Sequence, residues 1–259
     1  MNVKGTSGSR PTKHALHVWK AVTRGHDAAA ARRGGLLSAD DEARAARIRD
    51  PEARARFTVA RAALREILGR YTGALPDRLA FGYSPTGKPA LVGEVSGPGF
   101  SLSHTADLVL VAVWPNGNVG IDAERVRSVA RQERIERRLF PDPIARRLCA
   151  LPDEERRIAF FHAWTQREAY VKAIGGTLFQ TDDPLPLLWP PDFSPQRIRI
   201  AVDARDLERS ATWTVCTLRP ATGFIASVVA EGAVGRVEVK EYPTDLSDLT
   251  GWEEGGPAA

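Results

Sequence analysis

Cysteine and long apolar runs are scarce in this sequence, and each scarcity excludes a class of protein. The 259 residues include two cysteines, Cys149 and Cys216, which lie far apart and lack the spacing of a metal site. We expect both to be reduced, because a chain of this length needs no disulfide to stabilise its core. The longest apolar run, Leu108–Trp114, is far shorter than the roughly 20 residues that cross a bilayer. The sequence therefore predicts neither a disulfide scaffold nor a membrane-spanning helix.

Lysine is also rare, although the chain is basic. Only six of the 36 basic residues are lysine, and 32 acidic residues leave a net charge of +4. This charge is too small to require nucleic acid, but it suits a phosphorylated ligand or an acidic protein partner. A lysine inside the folded region of such an arginine-rich chain indicates a role that arginine cannot fill. Lys88 and Lys172 are the two candidates.

Helices and strands occur in two similar blocks. Ser38 and the acids after it predict a helix start, Pro51 separates this helix from a second one, and the pair Asn116-Gly117 predicts a hairpin turn. Helices are predicted near 38–50, 52–71, 129–149, with a break around Pro141 and Pro143, and 153–174. Strands are predicted near 17–19, 79–83, 100–104, 108–114, 119–124, 197–202, 211–218 and 223–230.

This order predicts an α+β fold of two similar halves that share a cleft. We expect a flexible N terminus (1–13), an N-terminal half (14–116), a C-terminal half (117–241) and a flexible tail (242–259). The first 13 residues have no apolar core, so we expect no secretory signal and a cytoplasmic location.

Two acidic side chains follow each other at a spacing of two residues on the strand near 119–124. Asp122 and Glu124 therefore point to the same face of that strand. Paired carboxylates of this kind suit a hard cation such as Mg²⁺. A solvated strand face remains the alternative, because Asp-x-Glu is a common sequence.

Trp164, Glu168 and Lys172 recur every four residues on the helix near 153–174 and form one stripe. An acid and a base above a large apolar side chain are partly desolvated, so their charges would act strongly on a nearby phosphate. The alternative is a surface Glu–Lys pair that contributes about 0.2 to 0.5 kcal/mol.

Three hydrogen-bond donors precede these groups in the chain. Lys88 lies in a Gly-Lys-Pro turn, and Ser103 and His104 follow on a strand. An ammonium, a hydroxyl and an imidazole all suit a phosphate dianion. No downstream acid has a hydrolase-like spacing to the Ser-His pair, so the sequence does not predict a catalytic triad.

Four short motifs in one order resemble the surfactin-type 4'-phosphopantetheinyl transferases, over roughly residues 17–230. They are Gly87-Lys88-Pro89, Leu102-Ser103-His104-Thr105, Gly120-Ile121-Asp122-Ala123-Glu124 and Trp164-x-x-Arg167-Glu168-Ala169-x-x-Lys172-Ala173. The resemblance implies a pseudo-twofold fold with the active site in the cleft between the halves. It also implies transfer of the 4'-phosphopantetheine group of coenzyme A to a serine of an apo carrier protein, which releases adenosine 3',5'-bisphosphate.

The resemblance further implies roles for particular residues. Asp122, Glu124 and Glu168 would hold Mg²⁺, or alternatively Mn²⁺, and Asp122, Glu168 and Lys172 would be catalytic. Glu168 would help to remove the serine proton and Lys172 would neutralise the leaving phosphate. Coenzyme A would be bound by Arg44, Arg56, Lys88, Pro89, Ser103, His104 and Lys172.

The implied partner is an apo acyl or peptidyl carrier protein, and the chain is expected to act as a monomer without nucleic acid or membrane. Residues 131–147 offer several arginines beside Leu139 and Phe140, a basic and apolar surface for an acidic helix. A solvated charged helix is the alternative. Two other functions remain open: a non-catalytic coenzyme A-binding protein, and a basic nucleic-acid-binding module, which the low aromatic content of 7% disfavours.

Overall fold

The computed structural model describes residues 15–23, 34–93, 95, 97–177, 188, 194–203 and 206–243. The helices are α1 Ala39–Arg47, α2 Pro51–Thr72, α3 Gln132–Leu139, α4 Asp142–Cys149 and α5 Asp153–Ile174. The strands are β1 Ala15–Val22, β2 Ala80–Tyr83, β3 Pro89–Val92, β4 Gly99–Thr105, β5 Leu108–Trp114, β6 Val119–Arg125, β7 Gln196–Asp203, β8 Asp206–Leu218, β9 Phe224–Glu231 and β10 Arg236–Glu241. Two short 3-10 turns, Gly34–Leu36 and Pro76–Arg78, precede α1 and β2.

Two four-stranded sheets form the frame of the molecule. The first has the strand order β10-β1-β5-β4 and the second has the order β6-β9-β8-β7, while β2 and β3 form a separate hairpin. The second sheet is antiparallel throughout, whereas β1 and β10 of the first sheet run parallel. The last described strand, β10, thus completes the sheet that contains the first described strand, β1.

One apolar layer lies between the two sheets and one long helix covers each outer face. Alternate residues of β5, such as Leu110 and Ala112, face the second sheet, while Val109, Val111 and Val113 face α2. In the same way α5 packs on β6 and β9. The predicted α+β class is confirmed, and each four-stranded sheet carries one 22-residue helix; the first sheet includes β10, which lies in the segment that the sequence assigns to the C-terminal half.

The ends of the long helices follow their sequence signals. Asp50 caps α2 by accepting a hydrogen bond from the backbone N–H of Ala53 at 2.8 Å, and Pro51 occupies the first turn. Both long helices end at a glycine with positive φ, Gly73 at 74° and Gly175 at 68°.

The predicted hairpin at Asn116-Gly117 is wrong. Strand β5 already pairs with β1 and β4 along its two edges, so β6 pairs with β9 in the other sheet. Of the two turn residues only Gly117 has a positive φ, 154°, whereas the predicted turn requires it at both. Residues 115–118 therefore connect one sheet to the other.

The predicted flexible N terminus and the tail beyond residue 243 lie outside the described residues. Tyr242, which the sequence assigns to the tail, is buried against α2 and donates its backbone N–H to the Lys20 carbonyl at 2.7 Å. No helix in the described ranges has the length and hydropathy required to span a membrane.

Candidate active site

Helix α5 lies unusually close to strand β6, and a glycine makes this approach possible. A Cβ atom at Gly120 would lie 1.9 Å from the carbonyl oxygen of Ala169 and 2.5 Å from the backbone nitrogen of Ala173. Any side chain at this position would therefore push the helix away. The close contact places Glu168 and Lys172 of α5 beside the acidic face of β6.

Asp122 and Lys172 form an ion pair at the centre of this contact. The Lys172 ammonium lies 2.7 Å from Asp122 Oδ1 and also donates to the carbonyl of Ile121 at 3.2 Å. Asp122 is buried, whereas the Lys172 side chain keeps about a third of its surface exposed. The pair thus connects the helix to the strand and still reaches solvent on the lysine side.

The second oxygen of Asp122 is buried and has no hydrogen-bond partner among the described residues. Two further carboxylates lie near it. Burial raises the pKa of Glu124 and of Glu168, and the negative charge of Asp122 raises both pKa values further. Each of the three acids therefore lies within electrostatic reach of the others, with Lys172 as an opposing charge.

These acids suit a hard cation in their chemistry but do not form a finished coordination shell. In the described part of the chain, no group of three or more His, Cys, Asp or Glu side chains is arranged to hold a metal ion. The Asp122 oxygen without a partner, and the raised pKa values of its two acidic neighbours, are what a divalent cation would relieve. The chemistry of these acids therefore suits a divalent cation.

Ser103 and His104 lie on β4 and point in different directions, as neighbours on a strand do. Ser103 is buried and donates its hydroxyl to Asp122 Oδ1 at 3.1 Å. His104 is exposed; partial desolvation and then the positive charges of Lys172 and Arg56 lower its pKa. Arg56 and Lys172 thus place positive charge around the His104 ring, next to the acids.

Comparison with known proteins shows which family the chain belongs to. Residues 118–228 match the family model of the 4'-phosphopantetheinyl transferase superfamily. The 4'-phosphopantetheinyl transferase HetI of Nostoc sp. is 32% identical over 222 residues, which are 84% of this chain and 88% of the relative. This chain belongs to the 4'-phosphopantetheinyl transferase superfamily.

Two further relatives are similar over shorter stretches of this transferase. The 4'-phosphopantetheinyl transferase psf-1 of Bacillus pumilus is 34% identical over 39% of this chain and 42% of its own length. The 4'-phosphopantetheinyl transferase AcpT of Escherichia coli is 30% identical over 45% of this chain and 57% of its own length. The prediction of a 4'-phosphopantetheinyl transferase is confirmed, while its surfactin-type subclass stays a prediction.

Lys88 of the transferase lies at the end of α5. Its ammonium donates to the Ala173 carbonyl at 2.6 Å, and burial lowers its pKa. Thr86, in the same turn, donates to the carbonyl of Gly175 at 2.7 Å. A positive charge at the carboxyl end of a helix is favourable. Lys88 and Pro89 also line a cavity of about 300 Å³ between β3, β4 and the start of β6.

The two predicted arginines occupy different places. The Arg44 guanidinium lies 4.3 Å from the centre of the Tyr83 ring, on the β2–β3 hairpin. Arg56 pairs with Glu52 at 3.0 Å and lies near enough to His104 to lower its pKa. Of the two, Arg56 is the one that the structure brings to the site.

The basic surface between residues 131 and 147 lacks its predicted apolar part. Leu139, the last residue of α3, and Phe140, which follows it, are buried in the cluster that packs α3 and α4 against α5. The six arginines of the segment are exposed: Arg131, Arg134, Arg137, Arg138, Arg146 and Arg147.

Two residues to which the sequence assigns no role fix the packing around the site. Ser101, two residues before Ser103, accepts a hydrogen bond from the backbone N–H of Ile121 at 3.1 Å and so fixes β6 against β4. Gly120 allows α5 to approach, as described above. A glycine inside a predicted strand is a signal of close backbone approach that could have been used.

Proposed function

We propose that this chain is a surfactin-type enzyme that transfers 4'-phosphopantetheine from coenzyme A to a serine of an apo carrier protein. One observation supports this proposal above all: in a member of this superfamily, facing surfaces of β6 and α5 carry three acids and a lysine, namely Asp122, Glu124, Glu168 and Lys172. Adenosine 3',5'-bisphosphate is the second product.

The reaction exchanges one phosphate bond for another. The serine oxygen forms a bond to the phosphorus that carries the pantetheine arm, while the bond from that phosphorus to the bridging pyrophosphate oxygen breaks. Such transfers depend mostly on positioning and charge neutralisation. Glu168 takes the serine proton directly or through a water molecule. Lys172 neutralises the leaving phosphate and can return a proton to it, which arginine cannot do.

Mg²⁺, or Mn²⁺ in its place, would be held by Asp122, Glu124 and Glu168, and when bound it supplies positive charge to the pyrophosphate. The buried Asp122 oxygen without a described partner supports this assignment. Asp122 orients the Lys172 ammonium through its other oxygen.

The 3'-phosphate end of coenzyme A is assigned to His104 and Arg56, whose positive charge contributes to the lowered pKa of His104. Lys88, Pro89, Ser103 and Arg44 complete the set that the sequence predicts. Lys88 and Ser103 donate to protein acceptors in this structure, so they would have to exchange those partners for a phosphate.

The arginines of residues 131–147 are proposed to attract an acidic carrier protein. Since both halves belong to one chain, we propose that the enzyme is active as a monomer, in the cytoplasm.

A panel of purified apo carrier proteins, incubated with the enzyme, coenzyme A and Mg²⁺, tests the proposal. We expect at least one carrier to gain the mass of one phosphopantetheine group in a reaction that a chelator stops. Coenzyme A binding without transfer to any carrier would instead support the non-catalytic alternative.

A further inference from the structure

Two serine hydroxyls join the two sheets of the molecule, at a contact between β4 and β6 that we call the junction. Strands β4 and β6 are edge strands of different sheets, and no main-chain ladder connects them in the described ranges. Instead the Ser101 and Ser103 hydroxyls accept hydrogen bonds from the backbone N–H groups of Ile121 and Ala123, at 3.1 and 3.2 Å. The two serines are two residues apart on β4 and their donors are two residues apart on β6, so the contacts repeat with the period of a strand.

Ser103 makes further contacts that Ser101 does not. Its hydroxyl donates to Asp122 Oδ1 at 3.1 Å, and the Lys172 ammonium lies 3.5 Å from its oxygen. Within the described residues the Ser101 hydroxyl makes only one hydrogen bond, which it accepts from the backbone N–H of Ile121. A serine hydroxyl has one proton and two acceptor sites. In this arrangement the Ser103 proton points to Asp122, so none is left for a substrate phosphate.

We propose that Ser103 is a positioning residue for Asp122 and not a ligand of the coenzyme A 3'-phosphate. This inference rests on the proposed function. Ser103 and Lys172 together hold Oδ1, which fixes the rotation of the carboxylate and leaves the buried Oδ2 as the oxygen that meets a cation. Groups that orient a metal-binding side chain typically change metal affinity or activity by about 10- to 100-fold when removed.

The test compares S103A with S101A, because both variants lose one hydroxyl from the same junction and only the first loses a contact with Asp122. Mn²⁺ binding to each substrate-free enzyme is measured by electron paramagnetic resonance, and kcat and KM are measured with coenzyme A and with 3'-dephospho-coenzyme A. Thermal unfolding of both variants reports the loss at the junction itself.

We expect S103A to bind Mn²⁺ about 10- to 100-fold more weakly and to lose kcat by a similar factor with both donors. S101A should stay within about twofold of the wild type in both properties, while S103T, which keeps a hydroxyl, should recover most of the loss. Should S103A not fold, S103C answers the same question, because its thiol has nearly the same size and is a weak donor.

Two results would overturn the inference. A loss confined to the KM for coenzyme A, and absent with 3'-dephospho-coenzyme A, would make Ser103 a phosphate ligand. Equal Mn²⁺ affinities of S101A and S103A would make it part of the junction alone. A wild-type enzyme that transfers nothing would remove the proposed function, but the Mn²⁺ comparison would still decide what Ser103 does.

Discussion

Two buried aspartates in this molecule pair with basic side chains, and they differ in whether the pairing is complete. Asp41 of α1 accepts from Arg61 at 2.7 Å through one oxygen and from Arg65 at 2.9 Å through the other. Asp122 shares one oxygen between Lys172 and Ser103, while its second oxygen has no partner in the described part of the chain. At Asp41 protein groups satisfy both carboxylate oxygens, whereas at Asp122 one oxygen is left for a further partner.

The pKa values of the acids at the two centres are shifted in opposite directions. Burial alone would raise the pKa of Asp41, but the charges and hydrogen bonds of Arg61 and Arg65 outweigh it and lower the pKa. At the other centre burial raises the pKa values of Glu124 and Glu168, and the negative charge of Asp122 raises them further, although Lys172 opposes both shifts and Arg127 opposes that of Glu124. Unresolved repulsion of this kind is typical of functional sites, whereas a complete ion-pair cluster is typical of structural ones.

The largest effect is expected from Asp122→Asn. This variant keeps an acceptor for Ser103 and Lys172 but removes a charge from the proposed cation site. We expect transfer activity to fall about 10³-fold or more, the scale on which phosphoryl-transfer enzymes depend on charge neutralisation. The free energy of unfolding should change little, because repulsion from Glu124 and Glu168 is relieved while the lysine pair weakens. Activity and urea unfolding are measured on the same preparation, and full activity would remove this site assignment.

Asp41→Ala is expected to lower the stability of the protein, whereas Asp122→Asn lowers its activity. Removing this carboxylate leaves Arg61 and Arg65 buried without their acid, which typically costs about 3 to 5 kcal/mol of stability. Asp40→Ala, at the exposed neighbouring position, is the matched control and should stay within about 0.5 kcal/mol. A small loss in Asp41→Ala, measured by urea unfolding, would contradict the structural role of this centre.

Lys172→Arg is expected to have the next largest effect and sharpens the role of the lysine. The three acceptors around its ammonium, Asp122 Oδ1, Ile121 O and Ser103 Oγ, suit a compact group that donates in three directions. Arginine keeps the charge but cannot give up a proton, so turnover should fall by about a hundredfold while the KM for coenzyme A changes little. Lys20→Arg, on β1, is the control for lysine replacement in general, and wild-type turnover in Lys172→Arg would reduce Lys172 to a surface charge.

Local signals allowed much of the fold to be predicted from the sequence. Ser38, Pro51 and the apolar run of β5 mark the boundaries of α1, α2 and β5, which the structure confirms. Two strands, β3 and β10, were not predicted, because short or half-exposed segments carry weak patterns. The hairpin prediction is wrong because both edges of β5 are already paired, so β6 joins the other sheet. A local turn signal carries no information about which strand edges are paired.

At the candidate site, too, the sequence predicts local placement but not tertiary contacts. Spacing alone correctly placed Asp122 and Glu124 on one strand and Glu168 and Lys172 on one helix. That Arg61 and Arg65 are buried was not apparent, because the sequence does not show that α1 brings Asp41 against them. The orientation of Ser103 likewise depends on how two sheets meet, which is a tertiary property.

The smallest expected effect concerns two histidines outside both centres. His17 on β1 and His162 on α5 are buried, and burial lowers the pKa of each to about 4. His17 contacts the Tyr71 hydroxyl and Glu238, and His162 contacts Thr217 at 2.8 Å. Their hydrogen bonds satisfy the neutral rings, so these sites resemble the complete centre at Asp41 more than the one at Asp122.

A lowered pKa in the folded state means that the unfolded chain binds protons first as the pH falls. Stability should therefore decrease from about pH 6.5 to pH 4 and depend less on these histidines below that range. Each histidine can contribute a slope of at most about 1.4 kcal/mol per pH unit. Urea unfolding of the wild type and of His17→Gln between pH 8 and pH 4 tests this. Even if the variant is less stable at every pH, its slope should be shallower, and an unchanged slope would show that His17 is protonated as easily in the folded protein as in the unfolded chain.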